Sequence, residues 1–317
     1  MSASPEVSIV IPTYNRARYV REAVESALSQ TFRDLEVIVV DDGSTDGTRG
    51  ALGSLIDRVR YFRQENRGLA AARNTGIARA RGRYVAFLDS DDRLEPRMVD
   101  EVLRTFREHP DAGAVFVAER EVDEDGRPTG RLHTKRTPGV RFSTAGMLSR
   151  DTGVGCGRPP VVRREWLEQL GGFDESFPSA VDCEMWIRYS FRVPMVLNPE
   201  PLVLRRTHPG HLSGDRALNA RQWLRILDRL RREHPECVRA HPRVYRRALG
   251  KENLRLGREL LGRATGSPPT LAEARRALGR AVRAWPWFLR AWVYLAWAWT
   301  FPSTYGPWRR WERRRKL

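Results

Sequence analysis

The chain has 317 residues, of which 41% are hydrophobic and 30% are charged. This is enough apolar material for a buried core, which excludes wholesale disorder and the fibrous classes. The three cysteines are too few and too scattered for a disulfide framework or a CxxC zinc site, and they favour a reduced, cytosolic compartment. The first fifteen residues have no basic segment followed by a long apolar run, so we expect no signal peptide.

The positive charge of the chain is concentrated in its C-terminal third. The net charge is +17 overall, yet residues 203–317 hold 27 basic and 8 acidic residues, a net charge of +19. Residues 1–202 hold 29 basic and 31 acidic residues, a net charge of −2. We therefore predict two parts, an N-terminal domain over residues 1–212 and a basic helical region over residues 213–317. The asymmetry favours a polyanionic partner for the second part.

The N-terminal part alternates between strand and helix patterns. A β-branched run at 7–11 ends at Pro12 and predicts a buried strand, and Asn15 is placed to cap an amphipathic helix over residues 20–30. The pattern continues with strands at 35–40, 59–63, 84–88 and 112–117, and with helices at 69–80 and 96–108. Short links between alternating elements predict an α/β fold, an open and mostly parallel sheet covered by helices on both faces.

Polar clusters follow three of the predicted strands. They are Pro12 to Asn15, the pair Asp41 and Asp42, and the four residues 89–92, which read Asp-Ser-Asp-Asp. Ligands of such sheets bind outside the carboxyl ends of the strands, so we expect these clusters to lie close together at one edge.

The carboxylates of these clusters have two interpretations. Asp89 and Asp91 offer hard oxygen ligands, which suit Mg²⁺ or Mn²⁺ bound together with a diphosphate. The alternative is that the acidic residues only make turns and cap the following helices, and Asp41 and Asp42 leave the same choice open. The fingerprints GxGxxG and GxxxxGK[ST] are absent, which argues against a Rossmann dehydrogenase or a P-loop enzyme.

Five segments in order resemble the motifs of glycosyltransferase family 2. They are VSIVIPTYN at 7–15, VVDDGSTD at 39–46, NRGLAAARNTG at 66–76, FLDSDD at 87–92 and GGFDES at 171–176. The resemblance covers roughly residues 5–210. It implies a GT-A fold and inverting transfer of a sugar from a nucleotide-diphosphate donor, with a UDP-sugar favoured, to a hydroxyl of a glycan or lipid-linked acceptor.

The resemblance also implies roles for individual residues. It assigns nucleotide binding to Pro12, Thr13, Tyr14, Asp41, Asp42, Arg73, Asp89 and Ser90. It assigns a divalent metal, Mn²⁺ or Mg²⁺, to Asp91 and Asp89, with His208 as a further ligand. A surface-loop histidine is the alternative for His208.

The same resemblance implies a general base at Asp182. The family places its catalytic aspartate in a Glu-Asp pair soon after the GGFDE segment, and here Val181 stands where the glutamate is usual. Val181 therefore leaves open a changed acceptor or weakened activity. Asp182 could instead act only as a helix N-cap, and Glu184 is a second candidate for the base.

The basic region predicts helices and ends in an aromatic segment. Residues 291–301 read AWVYLAWAWTF, and six basic residues follow between 309 and 316. Arg290 and the nearby prolines make a membrane-spanning helix doubtful, since a span needs about 20 apolar residues. We predict a tryptophan-rich anchor at the interface of an anionic membrane, on the cytoplasmic face. The alternative is an aromatic stripe that packs on the other helices.

Three functions compete at this point. The leading one is a glycosyltransferase at the cytoplasmic membrane face that builds a surface glycan or glycolipid. A sugar-phosphate nucleotidyltransferase would need a glycine-rich loop after the first strand, which residues 12–16 do not supply. The third is a catalytically degenerate nucleotide-binding module with a lipid-binding tail. We expect no nucleic-acid partner.

Overall fold

The computed structural model describes residues 4–133, 143–149, 160–208, 215–264 and 267–306. The chain divides into two compact units, residues 1–211 and residues 212–317. The strands of the first unit are β1 Val7–Thr13, β2 Leu35–Asp41, β3 Arg60–Arg63, β4 Tyr84–Phe87, β5 Arg93–Leu94, β6 Ala114–Val122, β7 Pro128–His133, β8 Val161–Arg163 and β9 Met195–Arg206. Its α-helices are α1 Val20–Leu28, α2 Thr48–Leu52, α3 Leu69–Arg79, α4 Met98–Glu108, α5 Thr144–Ser149, α6 Arg164–Leu170 and α7 Val181–Tyr189.

The described strands form one sheet in the order β3-β2-β1-β4-β8-β6-β9-β5, and β7 pairs with β6. Strands β3, β2, β1 and β4 are parallel, as the sequence pattern predicts. The other half is mixed, because β8 is antiparallel to both β4 and β6, and β5 is antiparallel to β9. The prediction of a mostly parallel sheet therefore holds only for the first half. The short strands β5 and β8 carry no periodic signal of their own.

Helices cover both faces of the parallel half. Alternate residues of a strand point to opposite faces. Val7, Ile9 and Ile11 of β1 accordingly join the apolar core formed with α1 and α4. Val10 points to the other face, where a Cβ on Gly76 of α3 would lie 2.2 Å from its Cγ1. The missing side chain of Gly76 is what lets α3 approach the sheet this closely.

One local prediction at the end of β1 is wrong. Asn15 does not cap α1, which begins at Val20 with Tyr19 at the N-cap position. Asn15 instead adopts a left-handed backbone with φ of 50°, and its Oδ1 accepts a hydrogen bond from the Thr45 backbone N–H at 2.8 Å. Asparagine tolerates this conformation better than most residues. The residue therefore ties the loop after β1 to the loop after β2.

The second unit is helical over its described residues. Its helices are α8 Arg216–Glu233, α9 Pro235–Ala240, α10 Pro242–Arg263, α11 Pro268–Ala284 and α12 Leu289–Thr300. Four apolar residues of α8 at helical spacing are buried: Trp223, Ile226, Leu227 and Leu230. Helices α10 and α11 pack closely, since a Cβ on Gly257 would lie 2.6 Å from Cγ of Leu278. Residues 285–287 separate α11 from α12, as the Trp-Pro-Trp sequence predicts.

Candidate active site

The carboxyl end of β1 presents a buried hydroxyl and an exposed aromatic ring. Thr13 is 3% exposed, and its Oγ1 has no hydrogen-bond partner among the described residues. Tyr14 is 46% exposed. Pro12 is buried in the strand opposite Val40 of β2. A buried hydroxyl without a partner is costly, so Thr13 is a group that a polar ligand would satisfy.

Asp41 and Asp42 at the end of β2 are buried and shape the neighbouring loops. Asp41 Oδ1 accepts a hydrogen bond from the Ser44 backbone N–H at 2.7 Å, and its Oδ2 accepts one from the Tyr61 hydroxyl. Burial, together with the bond to Asp41, raises the pKa of Tyr61.

Asp42 holds the segment that leads into α3. Its Oδ1 accepts from Gln64 Nε2 at 2.8 Å and from the Arg67 backbone N–H at 3.0 Å, and its Oδ2 accepts from the Gly68 backbone N–H at 2.7 Å. The turn-forming role considered for this pair is therefore present in the structure.

The residues after β4 bring three carboxylates together. Ligand atoms of Asp89, Asp91 and Asp92 all lie within 4.8 Å of one another. Ser90 is buried between them, and the turn is closed by the Asp92 backbone N–H, which donates to the Asp89 carbonyl at 2.9 Å. Clustered carboxylate oxygens are the donor set that Mg²⁺ and Mn²⁺ prefer, so these residues fit a divalent cation. Asp92 had been assigned no ligand role, although it belongs to the same acidic run.

His208 lies directly beside this cluster. Its Nε2 is 2.9 Å from Asp91 Oδ2, and its ring lies 5.1 Å from that of Tyr19. Arg16 approaches the same oxygen of Asp91, with its Nε at 3.6 Å. His208 therefore lies against Asp91, while the close cluster of ligand atoms consists of Asp89, Asp91 and Asp92.

Arg206, which lies in none of the sequence motifs, holds the acidic turn in place. Its backbone N–H donates to Asp92 Oδ1 at 2.8 Å, and its Nε donates to the Asp91 carbonyl at 3.0 Å. The guanidinium, which is almost fully buried, also donates to Glu22 Oε2 at 2.7 Å and lies over the ring of Tyr19. Arg206 thus fixes the end of β9, just before His208, against the acidic turn and α1.

Arg73 connects the acidic turn to α7. It is fully buried on α3, where its Nη1 donates to Asp182 Oδ1 at 2.6 Å and its Nη2 donates to Asp89 Oδ1 at 2.7 Å. Burial alone would lower the pKa of Arg73, but the charges of Asp182 and Asp89 outweigh it and raise the pKa. Asp182, the predicted base, and Asp89, which is predicted to bind metal and nucleotide, therefore both pair with the guanidinium of Arg73.

Asp182 is not the N-cap of α7. The helix begins at Val181, and the cap residue is Ala180, which has a left-handed φ of 58° and no capping side chain. Asp182 is the second residue of the helix and is 8% exposed. The N-cap interpretation is therefore wrong, because the helix starts at Val181, two residues earlier than a cap at Asp182 requires. Non-glycine residues with positive φ cluster at functional sites, and Ala180 adjoins the predicted base.

Glu184, the second candidate for the base, is engaged elsewhere. Its Oε1 is 3.0 Å from Nε of Arg188. Arg188 also donates to the carbonyls of Leu170 and Gly172, each at 2.7 Å. Glu184 therefore supports the Gly-Gly loop, which favours Asp182 over Glu184 as the base.

The Gly-Gly-Phe segment is fixed to α3 by a reciprocal pair. Asn74 Nδ2 donates to the Phe173 carbonyl at 2.9 Å, and the Phe173 backbone N–H donates to Asn74 Oδ1 at 2.8 Å. A Cβ on Gly172 would lie 2.2 Å from the same Oδ1. Hydrogen bonds thus join the sequence motif at 66–76 to the sequence motif at 171–176.

A small cavity of about 30 Å³ lies beside the acidic turn. Asp89, Asp92 and Glu119 of β6 line it, together with apolar residues that include Phe87 and Phe116. Glu119 is 5% exposed. Glu119 lies in no sequence motif. Its position beside the acidic turn follows from the pairing of β6 with β9 and β8.

Comparison with known proteins agrees with this geometry. A family model described as "Glycosyl transferase family 2" matches residues 8–171. The chondroitin synthase of Escherichia coli is 36% identical over 189 residues, which are 59% of this chain and 26% of that protein. An uncharacterized glycosyltransferase of Rickettsia prowazekii is 30% identical over 243 residues, which are 73% of this chain and 74% of that protein.

Solved structures share the fold at low sequence identity. S. aureus TarS 1–349 in complex with UDP-GlcNAc has a TM-score of 0.63 at 17% identity, covering 95% of this chain and 89% of that one. The mannosyltransferase PcManGT from Pyrobaculum calidifontis, in complex with GDP-Man and Mn²⁺, has a TM-score of 0.58 at 19% identity, covering 97% of this chain and 88% of that one.

The sheet, the helices on its faces and the solved structures that share them define a GT-A fold. The chain belongs to glycosyltransferase family 2. It spans only 26% to 36% of the length of several curated relatives, the chondroitin synthase among them.

Proposed function

We propose that this protein transfers a sugar from a nucleotide-diphosphate donor to a hydroxyl of a glycan or lipid-linked acceptor, with inversion at the anomeric carbon. Asp182 is the general base. It takes the proton of the acceptor hydroxyl as the acceptor oxygen bonds to the anomeric carbon, and the bond from that carbon to the diphosphate breaks on the opposite face. A UDP-sugar is the favoured donor, in keeping with the UDP-GlcNAc complex of TarS.

One observation carries this proposal. The buried guanidinium of Arg73 contacts both Asp182 and Asp89, at 2.6 and 2.7 Å. A base for the acceptor must lie next to the donor, because general-base catalysis needs the reacting hydroxyl within hydrogen-bond reach. The shared contact supports that placement for Asp182, whereas Glu184 pairs with Arg188.

The donor site combines the carboxyl ends of three strands. Thr13 and Tyr14 at the end of β1, and Asp41 and Asp42 at the end of β2, would contact the nucleobase and the ribose of the donor. The Asp41 and Asp42 carboxylates are held by the hydrogen bonds described above, so this part of the site needs little ordering when the nucleotide binds.

Asp89 and Asp91 would hold a divalent cation, with Asp92 and His208 beside them. The bound cation would offset the negative charge that develops on the leaving diphosphate. The Mn²⁺ in the PcManGT structure is in keeping with this role. Arg206 ties the acidic turn to the end of β9, two residues before His208.

The acceptor class rests on the relatives and on the second unit. The chondroitin synthase of Escherichia coli is named for a polysaccharide product, which supports a glycan acceptor. We propose in addition that α12 lies on the surface of an anionic membrane, which would bring a lipid-linked acceptor to the site and place the enzyme on the cytoplasmic face.

The membrane proposal rests on an exposed apolar face. Trp287 is 86% exposed, Trp292 50%, Val293 58% and Trp299 64%. Tryptophan prefers the headgroup region, and α12 carries no acidic residue. Among the described residues no helix is long and apolar enough to cross a membrane. The aromatic segment is thus largely uncovered, and the basic sequence at 309–316 suits anionic lipid.

Replacement of the base tests the catalytic proposal. Asp182→Asn keeps the shape of the side chain and removes its capacity to take a proton. We expect kcat to fall by about 10²-fold or more, while the dissociation constant for the donor nucleotide changes less than about threefold. Asp57→Asn, on an exposed aspartate, is the matched control and should leave kcat unchanged.

Full turnover by Asp182→Asn would remove Asp182 as the base. Wild-type protein that binds nucleotide but transfers no sugar to any glycan or lipid-linked acceptor would support the degenerate nucleotide-binding module instead, for which Val181 in place of the usual glutamate is the one argument.

A further inference from the structure

The guanidinium of Arg73 pairs with two carboxylates inside the protein, an arrangement that nucleotide binding does not require. Arg73 is 0% exposed, and its two terminal nitrogens donate to carboxylates on different elements, Asp182 on α7 and Asp89 after β4. We propose that Arg73 is a positioning residue that fixes the Asp182 carboxylate relative to the donor site. This inference rests on the proposed function, in which Asp182 is the base.

Several contacts keep the guanidinium from turning. It lies over the ring of Phe173, 5.0 Å from the centroid, and Phe173 is itself fixed by its paired hydrogen bonds to Asn74. A planar guanidinium offers donors in a fixed fork, so both carboxylates are held at set directions. Stacking on an aromatic face adds to this orientation.

Arg73 joins three elements of the first unit by direct ion pairs, alongside the packing of Phe173 against Phe87 of β4 and Trp186 of α7. Arg73 lies on α3, Asp182 at the start of α7 and Asp89 after β4. The segment before Asp182 has an unusual backbone at Ala180, with φ of 58°, and no capping side chain. The side chain of Arg73 therefore sets the distance between Asp182 and Asp89. Displacement of a catalytic group by about 1 Å costs on the order of 10²-fold in rate.

The positive charge of Arg73 also helps to hold the Asp182 and Asp89 carboxylates close together. Two carboxylates that lie close together repel each other, and one cation between them offsets that repulsion. A neutral residue in place of Arg73 would leave the buried Asp182 carboxylate and the half-buried Asp89 carboxylate without their shared partner, and they would move apart. Lysine would keep the charge but lacks the fork, so it would not hold both carboxylates in their present directions.

Steady-state kinetics of Arg73→Lys and Arg73→Gln test the proposal, with UDP-sugar donor and a saturating acceptor. We expect kcat to fall at least tenfold in Arg73→Lys and at least fiftyfold in Arg73→Gln. The donor KM should change less than threefold in both. Arg79→Gln, an exposed arginine on the same helix, is the matched control and should keep wild-type kcat. Thermal unfolding of each variant, measured in parallel, shows which of them are folded.

Three results would overturn the inference. Wild-type kcat in folded Arg73→Lys would show that the fork is not needed. A tenfold or larger rise in donor KM at unchanged kcat would make Arg73 a nucleotide contact. Wild-type protein that transfers no sugar would remove the proposed function, and this inference with it. If Arg73→Gln does not fold, Arg73→Lys alone decides.

Discussion

At the scale of single residues, the site depends on Arg73, whose guanidinium contacts the Asp182 and Asp89 carboxylates from two different elements. The sequence selected Asp89, Asp91, Arg73 and Asp182 because each stands in a recognisable segment. It could not show that Arg73 joins Asp182 to Asp89, because that contact depends on where α3 and α7 meet. Arg206 and Glu119 were missed for the same reason, since neither lies in a motif.

A residue far from the site gives a pH-dependent prediction. Glu36 accepts hydrogen bonds from the Ser8 hydroxyl at 2.7 Å, Arg60 Nη1 at 2.6 Å and the Arg81 backbone N–H at 2.7 Å. Burial acts to raise the pKa of Glu36, but the bonds from Ser8, Arg60 and Arg81 outweigh it and lower the pKa. A lowered folded-state pKa means that the ionised form stabilises the protein above the unfolded-state pKa. That contribution is lost as the pH falls through the folded-state value.

We therefore expect Glu36→Gln to lower the free energy of unfolding by about 2 kcal/mol at pH 7. The difference from wild type should shrink as the pH falls below about 4. Urea unfolding of both proteins across this range measures it, with the exposed Glu65→Gln as control. A difference that stays constant with pH would show that the carboxylate charge of Glu36 contributes nothing.

At the scale of elements, periodicity predicted the helices and parallel strands of the first half of the sheet, but not β9, which runs parallel to β6. Helices α1, α3 and α4 and strands β1, β2 and β4 lie within about two residues of their predicted bounds. Strands β5 and β8 were missed because two or three residues carry no period. Their pairing is set by their neighbours in the sheet. The start of α7 was misplaced because Ala180 takes a conformation that its residue type does not predict.

The packing of α3 on β1 gives a prediction at this scale. Gly76→Ala would put a Cβ 2.2 Å from Cγ1 of the buried Val10. We expect the free energy of unfolding to fall by about 2 kcal/mol, because overpacking outweighs the gain in helix propensity.

Gly50→Ala on α2 is the matched control for that packing. No atom lies within 4 Å of the Cβ it would add, so it should be neutral or stabilise the protein by up to about 1 kcal/mol. Urea unfolding of Gly76→Ala and Gly50→Ala measures the change in the free energy of unfolding that each substitution causes. Equal effects of the two substitutions would show that α3 has room to move away from β1.

At the scale of the whole molecule, charge and aromatic content mark the second unit. The sequence predicted the helices and the aromatic segment, and it left open whether that segment packs inside. The structure shows Ala291 and Ala298 buried, with Trp287, Trp292 and Trp299 exposed. Helix α12 has 12 residues, which is about 18 Å of helix. A bilayer core is about 30 Å thick, so α12 is suited to lie along a surface.

Sedimentation with lipid vesicles tests this orientation. Wild-type protein should bind vesicles that contain anionic phosphatidylglycerol at least tenfold more tightly than neutral phosphatidylcholine vesicles. Trp287→Glu with Val293→Glu changes two exposed side chains and should weaken that binding at least tenfold. Leu132→Glu, on an exposed leucine of β7, should not. Unchanged binding would contradict the proposal, and so would a stable dimer without vesicle binding, since a second copy would then cover the face.

The central claim is that the acidic turn binds a nucleotide diphosphate together with a divalent cation. Calorimetric titration of UDP, GDP, dTDP and CDP, each with and without Mn²⁺, tests it most directly. We predict binding of one nucleotide, UDP first, that weakens at least tenfold without Mn²⁺ and in Asp91→Asn. Folded wild-type protein that binds none of the four, or binds equally well without the cation and in Asp91→Asn, would contradict this account.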